Sequence, residues 1–380
     1  MASVVIGAGL AGLNAALTLQ EAGEDVELYE SSDAVGGRVR SDYIDGFILD
    51  RGFQLINSGY SEIKRLGLIK DLDFRKADRT IDVLTSFGIS SIGDPRLHPV
   101  ASLRSPLGSL KEKVALLAFM GDKPNSDISL RDALLASGCG DFYENVLRPF
   151  LRGVFLSELD RVDSSYGREI VKSFIVGDSG LPSAGVGTLS EALAARVENI
   201  HLNSGADSLD QFAGKKIILA TDSLTASRLL GVAETAPKVD SYTWYHSVDA
   251  GLIQSKRLRV ASVQTPIVNS VAISNVVPEY APQESTLIST TTLLPQNDNV
   301  IAEELAKFWN ISPTQFTTIK RYEISNSLPL FMPGNRSVAQ SAKVSENIYR
   351  AGDYLSAGSQ NGALISGRLA ANELLLDQSR

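Results

Sequence analysis

Ser3-Val-Val-Ile-Gly7-Ala-Gly9-Leu10-Ala11-Gly12 is the stretch on which the fold turns. Three glycines at this spacing are weak evidence alone, because glycine recurs by chance. Here they follow an apolar, β-branched run and open an Ala/Leu-rich run from Leu13 to Ala22. The first reads as a strand and the second as a helix. A further apolar run, Val26-Glu27-Leu28-Tyr29, ends on an acid, Glu30, 18 residues beyond Gly12. Strand, glycine turn, helix, strand and acid together make the βαβ context that a dinucleotide fingerprint requires.

Each position has a physical task. Gly7 allows a tight turn after the strand, Gly9 admits a pyrophosphate against the backbone, and Gly12 lets helix and strand approach closely. The helix N-terminus offers unpaired N–H groups and partial positive charge to phosphates. Glu30 can accept hydrogen bonds from a ribose diol and would repel a 2′-phosphate. Two more signals follow at once, Gly36-Gly37-Arg38 and Asp50-Arg51-Gly52. With the fingerprint they point to a flavin dinucleotide.

Composition narrows the function classes. At 380 residues, 43 % hydrophobic and 21 % charged, the chain reads as an ordinary globular protein of two domains, or of one domain with a large insertion. A net charge of −8 offers no basic surface for nucleic acid. No apolar run reaches the roughly 20 residues that span a bilayer. The first strand begins two residues after Met1, so no signal peptide is expected and the location is read as cytoplasmic. A single cysteine, Cys139, precludes an internal disulfide, and three scattered histidines make a metal site unexpected.

Residues 61–180 read as largely helical, with helices over Ser61–Gly67, Ser109–Met120 and Leu130–Ala136. The second has a helix-period apolar face that suits a core, a greasy substrate or peripheral membrane contact. A second α/β block follows: a loop at Gly185-Val-Gly187, a buried strand at Lys215–Ala220, and Thr221-Asp222-Ser223 capping the next helix. Leu181-Pro182-Ser183 does not read as a strand, so a separate nicotinamide-binding unit is rejected. Residues 236–325 carry alternating, β-branched runs that predict antiparallel strands. A last strand, Asn347–Ala351, and a helix over Gly362–Leu376 close the chain.

At this point the residues resemble one family, the flavin amine oxidase and phytoene desaturase superfamily. The likeness rests on Gly7-x-Gly9-x-x-Gly12, Glu30, Gly36-Gly37-Arg38, Ala351-Gly352-Asp353 and the closing run Ser359-Gln-Asn-Gly362-Ala363. The resemblance implies an α/β fold: a doubly wound, Rossmann-like FAD-binding domain interrupted by a mixed α+β substrate domain. Residues 1–60, 181–235 and 335–380 would form the first, and 61–180 and 236–334 the second. It implies that Gly7, Gly9, Leu10, Ala11 and Gly12 bind the pyrophosphate and Glu30 the adenosine ribose. Gly36 and Gly37 would lie against the cofactor, with Arg38 at the phosphates or flavin edge. Gly52, Phe53 and Gln54 would flank the isoalloxazine, and Ala206 would contact adenine. Gly352 and Asp353 would meet the pyrophosphate and ribityl chain. Gly362 and Ala363 would open a helix whose positive end stabilises a reduced flavin.

The family pattern also breaks in places. The lysine that many of its amine oxidases carry near a substrate-domain strand is missing from Ser241–Tyr245, and Lys238 is expected in a loop just upstream. The aromatic that often precedes the closing helix is replaced near Ser359. No cysteine lies in the C-terminal third, so FAD is expected to be non-covalent. His246 reads as an acid/base group or as a hydrogen-bonded structural histidine, on the same strand face as Trp244 and opposite Tyr245. Tyr322–Pro333 and Arg148–Phe155 read either as substrate-facing walls or as plain packing. The implied function is FAD-dependent abstraction of hydride from a C–H bond of an apolar or amine small molecule, desaturase-like. Flavin amine oxidation, flavin-dependent isomerisation and a non-catalytic flavin-carrying role stand as alternatives. No catalytic side chain is assigned, and either O₂ or a quinone serves as the oxidant.

Overall fold

The computed structural model describes residues 3–94, 105–123, 127–234, 236–334 and 341–378. Its first layer is a six-stranded sheet in the order Ile200–His201, Val26–Tyr29, Ser3–Ile6, Lys216–Leu219, Ile348–Arg350 and Lys343–Ser345. The first five strands are parallel and the last pair antiparallel. Ser3–Ile6 is buried along its whole length, as a central parallel strand covered on both faces must be. Three of its strands are short apolar runs drawn from points more than 100 residues apart, so this sheet ties the ends of the chain to its middle.

Helix Leu10–Glu21 follows the first strand through Gly7, whose φ of +102° suits glycine alone. A Cβ on Gly12 would lie 1.8 Å from the carbonyl oxygen of Gly7, and one on Gly367 would lie 2.0 Å from that of Ala11. The closing helix, Gln360–Gln378, therefore crosses the first helix backbone to backbone. Polar groups lock the crossing. Asn14 donates through Nδ2 to the Leu364 carbonyl at 2.7 Å and to Glu62 at 3.2 Å. Burial pushes the Glu62 carboxyl up, but Arg65, Asn14 and Arg368 outweigh it and hold it below its ordinary range.

The second layer is a seven-stranded sheet in the order Thr317–Pro329, Lys238–Asp249, Ser285–Thr292, Ile267–Ala272, Leu258–Ala261, Thr80–Thr85 and Gly88–Gly93. Helix Asp298–Trp309 covers one face, where Ile301, Leu305 and Phe308 pack with Trp244 and Ile288. A helical block comprising Leu110–Gly121, Leu130–Ala136, Arg148–Phe155 and Ser164–Ser173 forms its own apolar cluster, which reaches Leu330 and Phe331.

Three expectations need correction. The stretch 61–180 is not simply helical: Thr80–Thr85 and Gly88–Gly93 form a hairpin on the edge of the larger sheet. Leu181 and Pro182 do belong to a strand, Ser179–Pro182, which pairs with Ile56–Asn57 and Phe74–Lys76. That strand is too short to show alternation in sequence. On helix Leu110–Gly121 the core takes Ala115 and Phe119, with Leu116 and Met120 packed at its edge, while Leu110, Val114 and Leu117 are 57 %, 53 % and 61 % exposed. Its apolar residues thus exceed one face. Ser109 and Glu112 form a reciprocal capping box at its start.

Asp50 joins the two layers. It ends the hairpin Ser41–Ile44/Phe47–Asp50 and is fully buried. Its carboxylate accepts from Ser41 Oγ at 2.6 Å, Val186 N–H at 2.9 Å and Tyr280 Oη at 2.8 Å. Its backbone carbonyl accepts from Tyr245 Oη at 2.9 Å. Desolvation outweighs these three donors and pushes the Asp50 carboxyl up to about 6. The native state therefore holds this proton more tightly than the unfolded chain. That contribution to stability is complete below about pH 4 and is lost as pH rises through about 6, amounting to about 3 kcal/mol. Asp50→Asn is expected to erase it. In urea unfolding from pH 4 to pH 7, the variant should gain on the parent by up to about 3 kcal/mol as pH rises. A stability difference that stays constant with pH would contradict the assignment.

Candidate functional site

The glycine loops meet at the carboxyl end of the first strand. Gly9 caps helix Leu10–Glu21 without any side-chain cap, so the N–H groups of its first turn are presented to whatever lies in front. A Cβ on Gly9 would have nothing within 4 Å, in contrast to Gly7 and Gly12, where it would strike backbone. The openness at Gly9 is what an entering phosphate group needs. Gly36 bridges to Gly9, and its N–H donates to the Ala8 carbonyl at 2.8 Å. Gly36 and Gly37 have φ of +109° and +57°, which brings a second bare loop beside the first. Leu10 and Ala11 are buried in the first helical turn.

Glu30 is engaged by the protein itself. Its Oε2 accepts from Ala8 N–H at 2.7 Å, and its Oε1 accepts from the N–H and Oγ of Ser32 at 2.9 and 2.8 Å. It holds the glycine loop in place, and a carboxylate's remaining lone pairs leave room for a diol. Ala206 lies a short step away: Ser204 N–H donates to the Glu30 carbonyl at 2.7 Å, and Ala206 is buried with Val4, Ile6 and Phe212.

Arg38 crosses from the first loop to both other parts of the site. Its Nη2 pairs with Asp353 Oδ1 at 2.7 Å and its Nη1 donates to the Ser327 carbonyl at 2.8 Å. Gln54 donates to the Arg38 carbonyl at 2.8 Å and accepts from Gln360 Nε2 at 3.3 Å. Gly52 has a φ of +100°, and a Cβ there would lie 2.9 Å from Ile324 Cδ1 of the larger sheet. Phe53 packs in the cluster around Tyr245 and Tyr280. Gly352 donates to Ser366 Oγ at 3.0 Å. Gly362 and Ala363 donate to Oγ and to the carbonyl of Ser359, at 3.0 and 2.9 Å, so the closing helix begins against this same cluster.

A pocket of about 480 Å³ opens between these loops and the outer strand of the larger sheet, lined by Gly37, Arg38, Asp42, Arg51, Tyr322 and Ile324 among others. Tyr322 Oη donates to Asp42 at 2.7 Å, and Arg51 pairs with Asp42 at 2.8 Å. Two buried polar atoms beside the closing segment, Tyr354 Oη and Gln360 Oε1, have no hydrogen-bond partner. Burial pushes the Tyr354 hydroxyl up to about 12. Bare glycine loops, an uncapped helix and partnerless buried atoms fit a dinucleotide cofactor, whose phosphates and heteroatoms can use all three.

Several residues stand differently from the sequence reading. Lys238 is not in a loop but begins strand Lys238–Asp249, with its Nζ on Glu234 at 2.7 Å. His246 is buried beside Trp244 and Phe316, but neither ring nitrogen has a hydrogen-bond partner. Burial, against a weak pull from Asp298, pushes it down to about 4, so it is a neutral core residue with no partner for proton transfer. Near Ser359, where an aromatic is missing from the sequence, Tyr166 arrives from another helix. Its hydroxyl approaches the Gly358 carbonyl at 3.4 Å, and its ring sits between Phe155 and Phe331 at centroid distances of 5.5 and 4.6 Å. Arg148–Phe155 is a helix, with Phe155 contributing to that aromatic group. Tyr166 could not be found from sequence, because it lies 192 residues from Gly358.

Comparison with known proteins gives the family and the fold. Residues 10–229 match the family of flavin containing amine oxidoreductases, more than half of the chain's 380 residues. The chain belongs to that family. It is 44 % identical over 71 residues to polyamine oxidase 2 of Arabidopsis thaliana, covering 17 % of this chain and 14 % of that one. It is 33 % identical over 137 residues to hydroxysqualene dehydroxylase of Zymomonas mobilis, covering 33 % of each. The chain thus matches a third or less of these relatives' length. The solved structure of an oxidoreductase from Methanosarcina mazei superposes with a TM-score of 0.74 at 18 % identity, over 99 % of this chain and 100 % of that one. No helix among the described residues is long and apolar enough to cross a membrane.

The two glycines nearest the uncapped helix should separate folding from binding. Gly9→Val meets open space, so it should cost about 1 kcal/mol through the poorer cap and yield a folded chain. Its flavin affinity should fall at least tenfold. Gly12→Ala drives a methyl into a carbonyl and should cost about 3 kcal/mol or more. Denaturant unfolding and flavin titration of both variants check this. A Gly9→Val protein that binds flavin normally would refute the placement.

Proposed function

We propose that the chain binds FAD non-covalently in the cleft between its glycine loops and the larger sheet, and oxidises a C–H bond of a largely apolar small molecule. On this reading residues 1–60, 181–235 and 335–380 serve the cofactor, and 61–180 and 236–334 serve the substrate. Phosphates would lie on the first turn of helix Leu10–Glu21 and on the Gly36–Gly37 backbone. Glu30 would hold the adenosine ribose while fixing the loop through Ala8. Arg38, held by Asp353 and Ser327, would place positive charge at the middle of the cofactor. Gln54 and Gln360 would flank the flavin ring, with the N-terminus of the closing helix stabilising negative charge there.

The flavin, when bound, supplies the hydride acceptor. The residues around it orient the substrate and exclude water. Tyr166, Phe155 and Phe331 form an aromatic wall next to the closing helix, and Leu151 and Leu330 extend the same apolar cluster. The chain's single thiol, Cys139, is buried among the helices with Leu134 and Phe142, which supports non-covalent attachment.

One observation carries the preference for an apolar substrate. The inward-facing positions of strand Lys238–Asp249 hold Ser241, Thr243 and Tyr245, with no ionisable base, and the lysine at its start is tied to Glu234. Amine oxidation is the second reading, favoured by the match to a polyamine oxidase. Anaerobic mixing of the flavin-loaded protein with a polyene and with a diamine decides between them. Bleaching of the flavin absorbance by the polyene alone is expected. Bleaching by the diamine alone would establish the second reading, and turnover only after prior reduction of the flavin would point to isomerisation instead.

A further inference from the structure

The larger sheet carries, on one face, a row of neutral polar side chains that the fold leaves unpaired. Strand register sets Tyr322 opposite Thr243, Thr243 opposite Thr291, and Thr291 opposite Asn269. Directly opposed residues share a sheet face, so the four form one transverse row across adjacent strands. Thr243, Thr291 and Asn269 are 1 %, 3 % and 4 % exposed. Thr243 Oγ1, Thr291 Oγ1 and Asn269 Oδ1 nevertheless have no hydrogen-bond partner.

The hydroxyls of the opposite face behave differently, although the ring nitrogens of His246 there also lack partners. There Ser270 Oγ bonds Thr290 Oγ1 at 3.0 Å and accepts from Trp309 Nε1 at 3.0 Å, and Thr292 Oγ1 donates to the Leu294 carbonyl at 2.9 Å. Hydroxyls on that side are paired within the fold. In the row only Tyr322 is paired, through Asp42, while Thr243, Thr291 and Asn269 Oδ1 are not, and buried polar atoms without partners are rare in native proteins.

The row also faces the right way. Tyr245, two residues along from Thr243 and so on the same face, reaches the Asp50 carbonyl. Ile324, opposite Ser241 on that face, lies against Gly52. Tyr322, at the outer end of the row, lines the pocket beside Gly37 and Arg38. At the inner end, helix Arg148–Phe155 comes so close that a Cβ on Gly153 would lie 2.8 Å from Asn269 Nδ2.

We infer that Thr243, Thr291 and Asn269 form the subsite that binds a hydroxyl group of an otherwise apolar substrate. The inference rests on the proposed function, which sets substrate between this face and the flavin. Asn269 Oδ1 only accepts and so needs a donor, while the O–H protons of the two threonines need an acceptor, so full pairing asks the ligand for both. A hydroxyl does so, a ketone offers no donor, and a hydrocarbon offers neither. An ammonium group brings donors, but a buried cation needs a counter-charge. Both carboxylates beside this face are already engaged: Asp42 pairs with Arg51 and accepts from Tyr322, and Asp50 accepts from Ser41, Val186 and Tyr280.

Four probes of one chain length test this: octan-1-ol, octan-2-one, octane and octylammonium, each titrated against protein purified in the presence of added FAD, with the thermal midpoint as readout. Octan-1-ol should half-saturate at a concentration at least tenfold below the other three. In the Thr243→Val/Thr291→Val double variant that preference should vanish, while the midpoint without probe stays level or rises, because the removed hydroxyls held nothing. Octylammonium binding best, or no preference at all, would overturn the subsite. So would a midpoint several degrees lower in both single valine variants, which would show hydroxyls bonded within the fold. Flavin absorbance in the same samples keeps the two readings apart. A yellow protein without head-group preference overturns the subsite alone, and a colourless protein that still ranks octan-1-ol first supports it while overturning the proposed function.

Discussion

The contact on which the rest of the structure depends is the bare-backbone crossing at the start of the first helix. Gly12 lets that helix approach the turn at Gly7, and Gly367 lets the closing helix approach Ala11. Side chains at either position would hold the elements several tenths of an ångström to more than an ångström farther apart. With the crossing closed, two segments some 350 residues apart in sequence are fixed together by Asn14 and Leu364. The closing helix is thereby fixed across the first turns of the first helix, with its own start against Gln54. A cleft lined by two helix starts and two glycine loops follows from packing, before any ligand is considered.

A second link attaches the substrate-facing sheet to that cleft. Asp50 is the point of attachment, with Ser41, Val186 and Tyr280 on its carboxylate and Tyr245 on its carbonyl. Three donors do not offset full burial, so the carboxyl remains a strained choice for a joint. What it provides is direction, since each donor arrives from a different element and fixes the sheet's height above Gly52. Arg38 makes a comparable bridge on the open side, between Asp353 and Ser327.

The local parts of this arrangement were legible in sequence. Gly12 acts against Gly7, five residues before it, and strand Lys216–Leu219 and helix Leu130–Ala136 declare themselves by short-range pattern. What was illegible depends on contacts distant in sequence. Asp50 was visible as part of a motif, but its partners Val186 and Tyr280 lie 136 and 230 residues away. Strand Ser179–Pro182 is created by pairing with Ile56–Asn57 and Phe74–Lys76, not by its own alternation. His246 was read as hydrogen-bonded, because nothing local reveals that its strand face is closed by Trp244 and Phe316. The row from Tyr322 to Asn269 exists only through register, which loops of very different length determine.

The central claim is that this cleft holds FAD without a covalent bond. Heat denaturation of the purified yellow protein, followed by mass analysis of the supernatant and the pellet, tests it most directly. The flavin is expected in the supernatant with the mass of FAD, in near one-to-one ratio to the chain. Flavin retained on the precipitated protein, a released mononucleotide in place of the dinucleotide, or a chain that takes up no flavin at all would contradict it.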